Sequence, residues 1–248
     1  MAQNQTLTKL NQMKMYGMAG AYEMLQSTRQ SSKMTDDELV SHLVEAEWDD
    51  RQNHKLQRLI KSAKFRYQAC IEEIAFTQDR NLDKSTFLKL AGCDYLEKKE
   101  NIIITGATGV GKSHIASALG NEACTKGYKT IYCNVGKLLS LLKMKRSDGS
   151  YLREIAKLER QDLLIMDDFG LAQLDTQERL DLLEIIEDRH GKRSTIMTSQ
   201  LPITKWHDVI ADSTIADAIL DRLVHNSYRI ELKGASLRKK MIASRDKK

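Results

Sequence analysis

The stretch GATGVGKS at residues 106–113 constrains the fold of this 248-residue chain more than any other feature. It fits the pattern GxxxxGK[ST] without a gap, it follows the apolar run 102–104, and a helical pattern follows it. A strand, a glycine-rich loop and a helix in this order form a phosphate-binding loop, whose backbone N–H groups and helix N-terminus face the phosphates. The sequence therefore predicts a nucleoside triphosphate site, with Lys112 at the β- and γ-phosphates and Ser113 as a ligand of Mg²⁺.

A second stretch, LLIMDDFG at residues 163–170, places two carboxylates after a buried apolar run. Ligands of parallel α/β sheets bind at the carboxyl ends of the strands. Asp167 is therefore a candidate to hold Mg²⁺, directly or through water, and Asp168 to orient and polarise the attacking water. The alternative is that these acids cap a helix N-terminus.

Further candidates complete the predicted ATP site. Ser199 or Gln200, in STIMTSQ, can hydrogen-bond the γ-phosphate or the water, or can serve only the turn before Pro202. Arg222, on a predicted helix, and Arg238, at the start of a basic tail, are candidates to stabilise the transferring phosphoryl group, or are surface ion pairs. The predicted ATP-binding residues of the loop are Gly106, Ala107, Thr108, Gly109, Val110, Gly111, Lys112, Ser113 and His114.

The order of patterns along the chain indicates two domains. Residues 1–68 have helical spacing, with a capping box at Thr35 and Glu38, and predict a small all-α domain for DNA binding or oligomerisation. Residues 69–248 form the second domain, in which apolar runs alternate with helical segments from residue 101 onward. That alternation predicts an α/β fold with a five-stranded parallel sheet between helices. The predicted strands are 102–105, 129–133, 163–167, 194–199 and 227–231.

Basic residues cluster in the sequence, and the formal net charge is +5. Clusters of this kind bind the phosphate backbone of nucleic acid, or are solvated helix faces. No pattern of a recognition helix accompanies them, so we expect double-stranded DNA to be bound with little regard to sequence. The predicted DNA-binding residues are Arg51, Lys55, Arg58, Lys137, Lys143, Lys145 and Arg146.

Other features exclude whole classes of protein. The longest apolar runs are far shorter than the roughly 20 residues of a membrane span, and the N-terminus has no secretory h-region. The four cysteines are scattered and form no CxxC pair, so neither a zinc site nor a disulfide framework is expected. A cytoplasmic protein with reduced thiols, and no membrane partner, is the simple interpretation.

Four stretches together carry a resemblance to a known family: GATGVGKSH, LLIMDDFG, TSQLPITKW and AILDRLVHNSYRIELKGASLRK. In this order and spacing they resemble the IstB-type transposition helper ATPases, AAA+ proteins similar to DnaC and DnaA. The resemblance covers about residues 65–240, and less specifically the N-terminal helices. It implies that Arg222 is a trans-acting arginine finger, that Ser199 or Gln200 is the first sensor, and that Arg238 is the second-sensor arginine, in cis or in trans.

Three functions compete on this basis. The first is an Mg²⁺-dependent ATPase that forms an ATP-dependent oligomer on target DNA and directs a cognate transposase. The second is a DnaC-like helicase loader, whose N-terminal region would bind a protein ring instead of DNA phosphate. The third is a small-molecule kinase, which is the weakest because no segment between the motifs supplies a lid and an acceptor pocket.

Overall fold

The computed structural model describes residues 2–28 and 34–237, and the chain divides into two compact units, 1–58 and 59–248. The division falls inside the third helix, whereas the sequence suggested a boundary after residue 68. The assignment of the first unit to DNA binding and oligomerisation stays a prediction. In the part of the chain that is described, no helix has both the length and the apolar content to span a membrane.

The N-terminal unit is helical, as predicted. Its helices are α1 (Ala2–Gln12), α2 (Tyr16–Thr28) and α3 (Asp36–Ala63), of which α3 continues into the second unit. The capping box precedes α3: Thr35 Oγ1 accepts the N–H of Glu38 at 3.3 Å, and the Glu38 carboxylate accepts the N–H of Thr35 at 2.8 Å. These two bonds satisfy donors that a helix start otherwise leaves without partners.

Close backbone approach holds α2 against α3. A Cβ at Gly17 would lie only 2.3 Å from the carbonyl oxygen of Ala46, so the contact requires glycine. Beside it, the buried carboxylate of Glu47 accepts the N–H of Met18 at 3.2 Å and the Nε–H of Arg51 at 2.6 Å. Arg51, a predicted DNA contact, is thus paired within its own helix.

The second unit is built on a five-stranded sheet in the order β2-β3-β4-β1-β5, with every neighbouring pair parallel. The predicted fold class and all five predicted strands are confirmed, with β4 matching at both ends and no strand end differing by more than two residues. The strands are β1 (Asn101–Gly106), β2 (Thr130–Asn134), β3 (Leu163–Phe169), β4 (Ser194–Ser199) and β5 (Ser227–Leu232).

Helices connect the strands and cover both faces of the sheet. Those before and after β1 and β2 are α4 (Lys84–Ala91), α5 (Asp94–Glu97), α6 (Lys112–Thr125), α7 (Val135–Ser147) and α8 (Tyr151–Glu159). Those after β3 and β4 are α9 (Thr176–Arg189), α10 (Trp206–Ile210) and α11 (Ser213–Val224). Short 3₁₀ turns occupy Ile71–Glu73, Gln78–Arg80 and Ile203–Lys205.

Two apolar cores, one on each face, explain why the strands are apolar throughout. Ile103 of β1 packs with Leu164 and Met166 in the core beneath α7–α11. Its neighbours Ile102 and Ile104 pack in the other core, with α4, α5 and α6. Successive side chains of a strand point to opposite faces, so a strand covered on both faces needs apolar residues at every position.

Arg189, at the end of α9, is a buried cation outside the predicted site. Its guanidinium donates to the carbonyls of Leu158, Gln161 and Ser194 at 2.8, 2.9 and 2.5 Å, and to the hydroxyl of Thr195 at 3.2 Å. Burial among these neutral acceptors lowers the pKa of Arg189 to about 9. The side chain thereby fastens the end of α8 to the start of β4.

Candidate nucleotide-binding site

The loop between β1 and α6 has the backbone shape of a phosphate-binding loop. Gly106, Gly109 and Gly111 adopt φ values of 145°, 84° and 100°, a region that side chains rarely allow. A Cβ at Gly109 would also lie 2.2 Å from the hydroxyl of Ser236. The first turn of α6 directs its free N–H groups into this loop, which favours an anion there.

Lys112 lies inside the curve of the loop. Its ammonium donates to the carbonyl oxygens of Gly106 at 2.7 Å and Ala107 at 2.9 Å, and the residue is buried. The next residues place their side chains toward neighbouring elements: Ser113 donates to Asp167 at 2.9 Å, and the ring of His114 lies 6.0 Å from that of Tyr67. Lys112 and Ser113 therefore stand where phosphate and metal ligands are needed.

Asp167 is fully buried at the end of β3, and both of its carboxylate oxygens accept hydrogen bonds. Oδ1 accepts the hydroxyls of Ser113 at 2.9 Å and Thr198 at 2.5 Å. Oδ2 accepts the hydroxyl of Tyr132 and, at 3.3 Å, the guanidinium of Arg66. Burial, and then the bond to Asp167, raise the pKa of the Tyr132 hydroxyl, which therefore stays a donor.

A β-bulge turns the second acid into the same site. Between the paired positions Met166–Met197 and Phe169–Ser199, β3 has two residues where β4 has one. Asp168 adopts a left-handed φ of 62°, which costs about 1 kcal/mol or more for a residue other than glycine. Neighbours in a regular strand point to opposite faces, so the bulge is what allows both acids to face one site.

Asp168 is more accessible than its neighbour. Its Oδ2 accepts the guanidinium of Arg66 at 2.9 Å and the amide of Asn134 at 3.3 Å, and its backbone N–H donates to Thr198 at 3.1 Å. The side chain is 19% exposed, whereas that of Asp167 is fully buried. Asp168 is therefore the acid that a water molecule can reach.

The donor set fits Mg²⁺. A serine hydroxyl and a carboxylate oxygen of Asp167 lie 2.9 Å apart beside the phosphate-binding loop, and Mg²⁺ prefers such oxygen ligands. Within the described residues, no group of three or more histidine, cysteine, aspartate or glutamate side chains could hold a metal by itself. Phosphate oxygens complete the metal shell in sites of this type, so protein ligands as few as these suffice.

The two candidate sensor residues make different contacts. The Ser199 hydroxyl donates to the carbonyl of Phe169 at 2.8 Å and accepts the N–H of Leu201 at 3.1 Å, so it holds the turn. Gln200 accepts the hydroxyl of Thr108 at 2.6 Å and so reaches the phosphate-binding loop. Thr198, which the sequence analysis did not select, is the residue of β4 that bonds to both acids.

Three other site residues were missed: Arg66, Tyr132 and Asn134. Tyr132 and Asn134 belong to β2, which pairs with β3, so the prediction of parallel neighbours could have drawn attention to them. The Asn134 side chain serves twice, since its oxygen caps α7 through the N–H of Lys137 at 3.2 Å. Arg66 lies 101 residues before Asp167, and in the sequence it stands only in a cluster of basic residues, with nothing that points to the acids.

Two segments remote in sequence enclose the phosphate-binding loop. Arg80 donates to the carbonyls of Ala75 at 2.7 Å and Val110 at 3.1 Å, and burial lowers its pKa. The N–H of Leu237 donates to the carbonyl of Gly109 at 2.9 Å. Arg238, the predicted second-sensor arginine, lies outside the described residues.

Arg222 lies away from the loop of its own chain. Its carbonyl accepts the side-chain amide of Asn101, the first residue of β1, at 3.2 Å, whereas the phosphate-binding loop follows the last residue of β1. The six residues of β1 separate these ends by about 17 Å. The guanidinium pairs with Glu187 of α9 at 2.9 Å and is 26% exposed.

Three of the four predicted DNA-binding residues of α7 have acidic partners. Lys143 pairs with Asp175 at 3.7 Å and Lys145 with Asp148 at 3.1 Å. Arg146 contacts Asp181 at 2.5 Å and lies over the ring of Tyr151, 3.6 Å from its centroid. The remaining three predicted contacts are exposed on helices: Lys55, Arg58 and Lys137. DNA binding by all seven residues stays a prediction.

The sheet order, the loop after β1, the acids at the end of β3 and the hydroxyl at the end of β4 define a P-loop nucleotide-binding fold of the AAA+ type. Solved structures share this fold. DnaI matches with a TM-score of 0.59 at 17% identity, over 71% of this chain and 94% of that one. The DnaC helicase loader matches with a TM-score of 0.58 at 18% identity, over 71% of this chain and 99% of that one. An AMPPCP-bound DnaA from Aquifex aeolicus matches with a TM-score of 0.57 at 19% identity, over 74% of this chain and 56% of that one.

Sequence comparison identifies the family within this class. The chain belongs to the IstB-like ATP binding proteins, which it matches over residues 8–244. It is 47% identical to the insertion sequence ATP-binding protein y4pL of Sinorhizobium fredii, over 94% of this chain and 96% of that protein. It is 28% identical to the corresponding protein of IS21 from Pseudomonas aeruginosa, over 93% and 87%. The resemblance found in the sequence is thereby confirmed.

Proposed function

We propose that this chain is an Mg²⁺-dependent ATPase that assembles on double-stranded DNA and assists the transposase of an insertion sequence. The family supports the link to transposition, because relatives as similar as 47% are named as insertion sequence ATP-binding proteins. The DnaC and DnaI likeness supports the fold alone, since identity there is 17–18%, and helicase loading is the less favoured function. Four free cysteines agree with a reducing compartment, the cytoplasm.

The observation that carries the proposal is the separation of Arg222 from its own nucleotide site. The two lie at opposite ends of β1, about 17 Å apart, a span longer than an arginine side chain. An arginine finger in this position can serve only the site of another subunit. Hydrolysis then requires assembly, and assembly in turn depends on bound ATP.

Within one site, each residue has a separate task. Lys112 and the loop N–H groups bind the phosphates, while Ser113 and Asp167 would hold Mg²⁺, which would offset the charge on the phosphate oxygens. Asp168 accepts a hydrogen bond from the attacking water and orients it. Thr198 fixes the acids relative to each other, because one hydroxyl bonds to the Asp167 carboxylate and to the Asp168 backbone.

DNA binding is proposed to use charge without base recognition. Lys55, Arg58 and Lys137 are exposed, and Lys143 and Lys145 form ion pairs with partly exposed acids. Pairs of this kind are worth at most about 1 kcal/mol, so DNA phosphate can replace the acid. The contacts of Arg146 with Asp181 and Tyr151 give that residue a structural role as well.

Fluorescence anisotropy across a salt series tests this proposal with the full chain, ATP and duplexes of unrelated sequence. We expect tight binding only with ATP, equal affinity for all duplexes, and a steep fall of affinity with salt. Replacing Lys137, Lys143 and Lys145 by alanine should flatten the salt slope by about one unit for each DNA phosphate that a subunit no longer neutralises. Replacing Lys157, Lys192 and Lys205, which lie outside the predicted clusters, removes the same charge and should leave the slope unchanged.

The same experiment contains the results that would overturn the proposal. Preference for one sequence would indicate a site-specific DNA-binding protein. Binding that is independent of ATP would contradict ATP-dependent assembly, and equal losses of affinity in both lysine triple variants would contradict the assignment of the DNA contacts to α7. For the transposase, co-purification with the chain on DNA should require ATP and should fail with Lys112→Ala.

A further inference from the structure

Arg66 brings a positive charge to the two acids from a distant part of the sequence. It follows α3 in the stretch 64–70, which has neither helix nor strand. One nitrogen, Nη1, donates to Asp168 Oδ2 at 2.9 Å and to Asp167 Oδ2 at 3.3 Å. The two carboxylates therefore share a single cationic donor.

The neighbours of Arg66 hold it in this place. Phe65 packs beside Gly120 of α6, where an added Cβ would lie 2.5 Å from the Phe65 ring. On the other side, Tyr67 lies 6.0 Å from the ring of His114, and its own ring is 5.6 Å from the Arg66 guanidinium. The chain is thus fixed on both sides of Arg66, while its side chain remains 42% exposed.

Electrostatics explain why a cation is needed at this point. Adjacent carboxylates that face one site repel each other, and a positive charge between them offsets that repulsion. Burial by itself would lower the pKa of Arg66, but Tyr67, Asp168 and Tyr132 outweigh it and raise that pKa. Arg66 therefore brings a positive charge to the two acids.

A metal ion beside Asp167 changes this balance. Mg²⁺ held by Ser113 and Asp167 places two positive charges within a few ångströms of the guanidinium, and the two cations repel. Mg²⁺ also supplies the compensation that Arg66 provides to the acids. The ion pairs of the guanidinium with the acids are then weaker, and water can solvate its exposed side chain.

We propose that Arg66 is a resident counter-ion of Asp167 and Asp168 that exchanges with Mg²⁺ when the Mg²⁺–nucleotide complex binds. Release of Arg66 frees the Asp168 oxygen that it contacts, and this oxygen becomes available to water. Arg66 is thus a positioning residue that sets how much Mg²⁺ the site requires. The inference rests on the proposed function only in requiring that the site bind Mg²⁺ with ATP.

The test is a metal titration on the full chain without DNA. A fluorescent ATP analogue, mant-ATP, reports nucleotide binding as Mg²⁺ is raised, and electron paramagnetic resonance counts bound Mn²⁺ in parallel. Arg66→Gln should reach half-saturation at about tenfold less metal, because a hydrogen bond between charged groups no longer competes. Arg66→Lys should shift it in the same direction by about threefold, because ammonium is more strongly hydrated than guanidinium.

Lys64→Gln is the matched control. Lys64 is two residues from Arg66, carries the same charge and makes no ion pair with a described residue. We expect its metal titration to stay within about twofold of the parent, since an unpaired surface charge contributes little. Circular dichroism establishes whether each variant is folded. If Arg66→Gln is not folded, the metal titration of Arg66→Lys tests the proposal.

Two results would overturn the proposal. A metal requirement that is unchanged, or increased, in both Arg66 variants would make the ion pair purely structural, while nucleotide binding and the proposed function remain intact. Equal shifts in Lys64→Gln and Arg66→Gln would assign the effect to general charge. If the parent chain binds no nucleotide at any metal concentration, this proposal and the proposed ATPase function fail together.

Discussion

The hydroxyl of Thr198 donates to the carboxylate of Asp167 at 2.5 Å and, through the same oxygen, accepts the backbone N–H of Asp168 at 3.1 Å. Thr198 lies on β4 and the acids on β3, so this one oxygen joins the ends of two strands. Its side chain is fully buried, and removing the hydroxyl leaves the Asp168 N–H without this acceptor and Asp167 Oδ1 with Ser113 alone. Polar groups that lose a buried partner are costly, which makes this position sensitive to change.

Thr198→Val should therefore slow hydrolysis more than it weakens nucleotide binding. Valine keeps the shape and removes the hydroxyl, and we expect a fall in single-turnover rate of about tenfold or more, with mant-ATP affinity within about threefold. Thr198→Ser retains the oxygen and should preserve most of the rate. Equal rates for valine and serine would show that the hydroxyl has no part in placing the acids.

Asp168→Asn should bind ATP and fail to turn it over. The amide keeps an oxygen that can accept from Arg66 and Asn134 but cannot take a proton, and loss of such a group lowers rates by about 10²-fold or more. Lys112→Ala, by contrast, should lose nucleotide binding itself. Rapid-quench hydrolysis and equilibrium binding separate the two, and a parental rate in Asp168→Asn would assign the base to another residue.

Mixing inactive variants tests whether Arg222 acts across a subunit boundary. Arg222→Ala lacks the finger and Asp168→Asn lacks the acid, so each should be inactive alone. In an equal mixture, about one quarter of head-to-tail interfaces combine an intact finger with an intact acid. We expect ATPase activity to return to about that fraction of the parent rate. A mixture that exchanges subunits and yet stays inactive argues for a finger in cis.

Arg189 supplies a prediction about stability alone. Arg189→Met keeps the volume but leaves the acceptors of Leu158, Gln161 and Ser194 without their donor, and should lower the free energy of unfolding by about 3 kcal/mol or more. Arg193→Met removes a partly exposed ion pair with Asp162, whose atoms lie 3.3 Å apart, and should change the free energy of unfolding by about 1 kcal/mol or less. Urea denaturation measures both, and similar values would contradict the assigned role of Arg189.

The sequence predicted the parts of this protein that are encoded locally. The phosphate-binding loop is contiguous, and each strand shows as an apolar run because both faces of the sheet are covered. Arg66 and Thr198 were missed because their partners lie 101 and 31 residues away, and only the folded sheet brings them together. Thr198 was not selected along with Ser199 and Gln200, because the bulge at Asp168, a feature of the folded sheet, determines which residue of β4 faces the acids.

The basic residues of α7 also depend on partners that the sequence does not place beside them. The run from Lys137 to Arg146 contains no acid, and the sequence alone presents its basic residues as free charge. Asp175 and Asp181, from the turn before α9 and from α9 itself, are the partners of Lys143 and Arg146. A charge cluster in sequence is therefore not yet a charged surface.

The position of Arg222 at the far end of β1 has a numerical consequence for the assembly. If each finger serves the next subunit, an open row of subunits has one terminal site that receives no finger, whereas a closed ring has none. Every site can still hold ATP, so the fraction of bound ATP that is left after a single turnover equals one divided by the number of subunits in the row. Counting leftover ATP would thus distinguish a ring from a filament, and would give the filament its mean length, without an image of either.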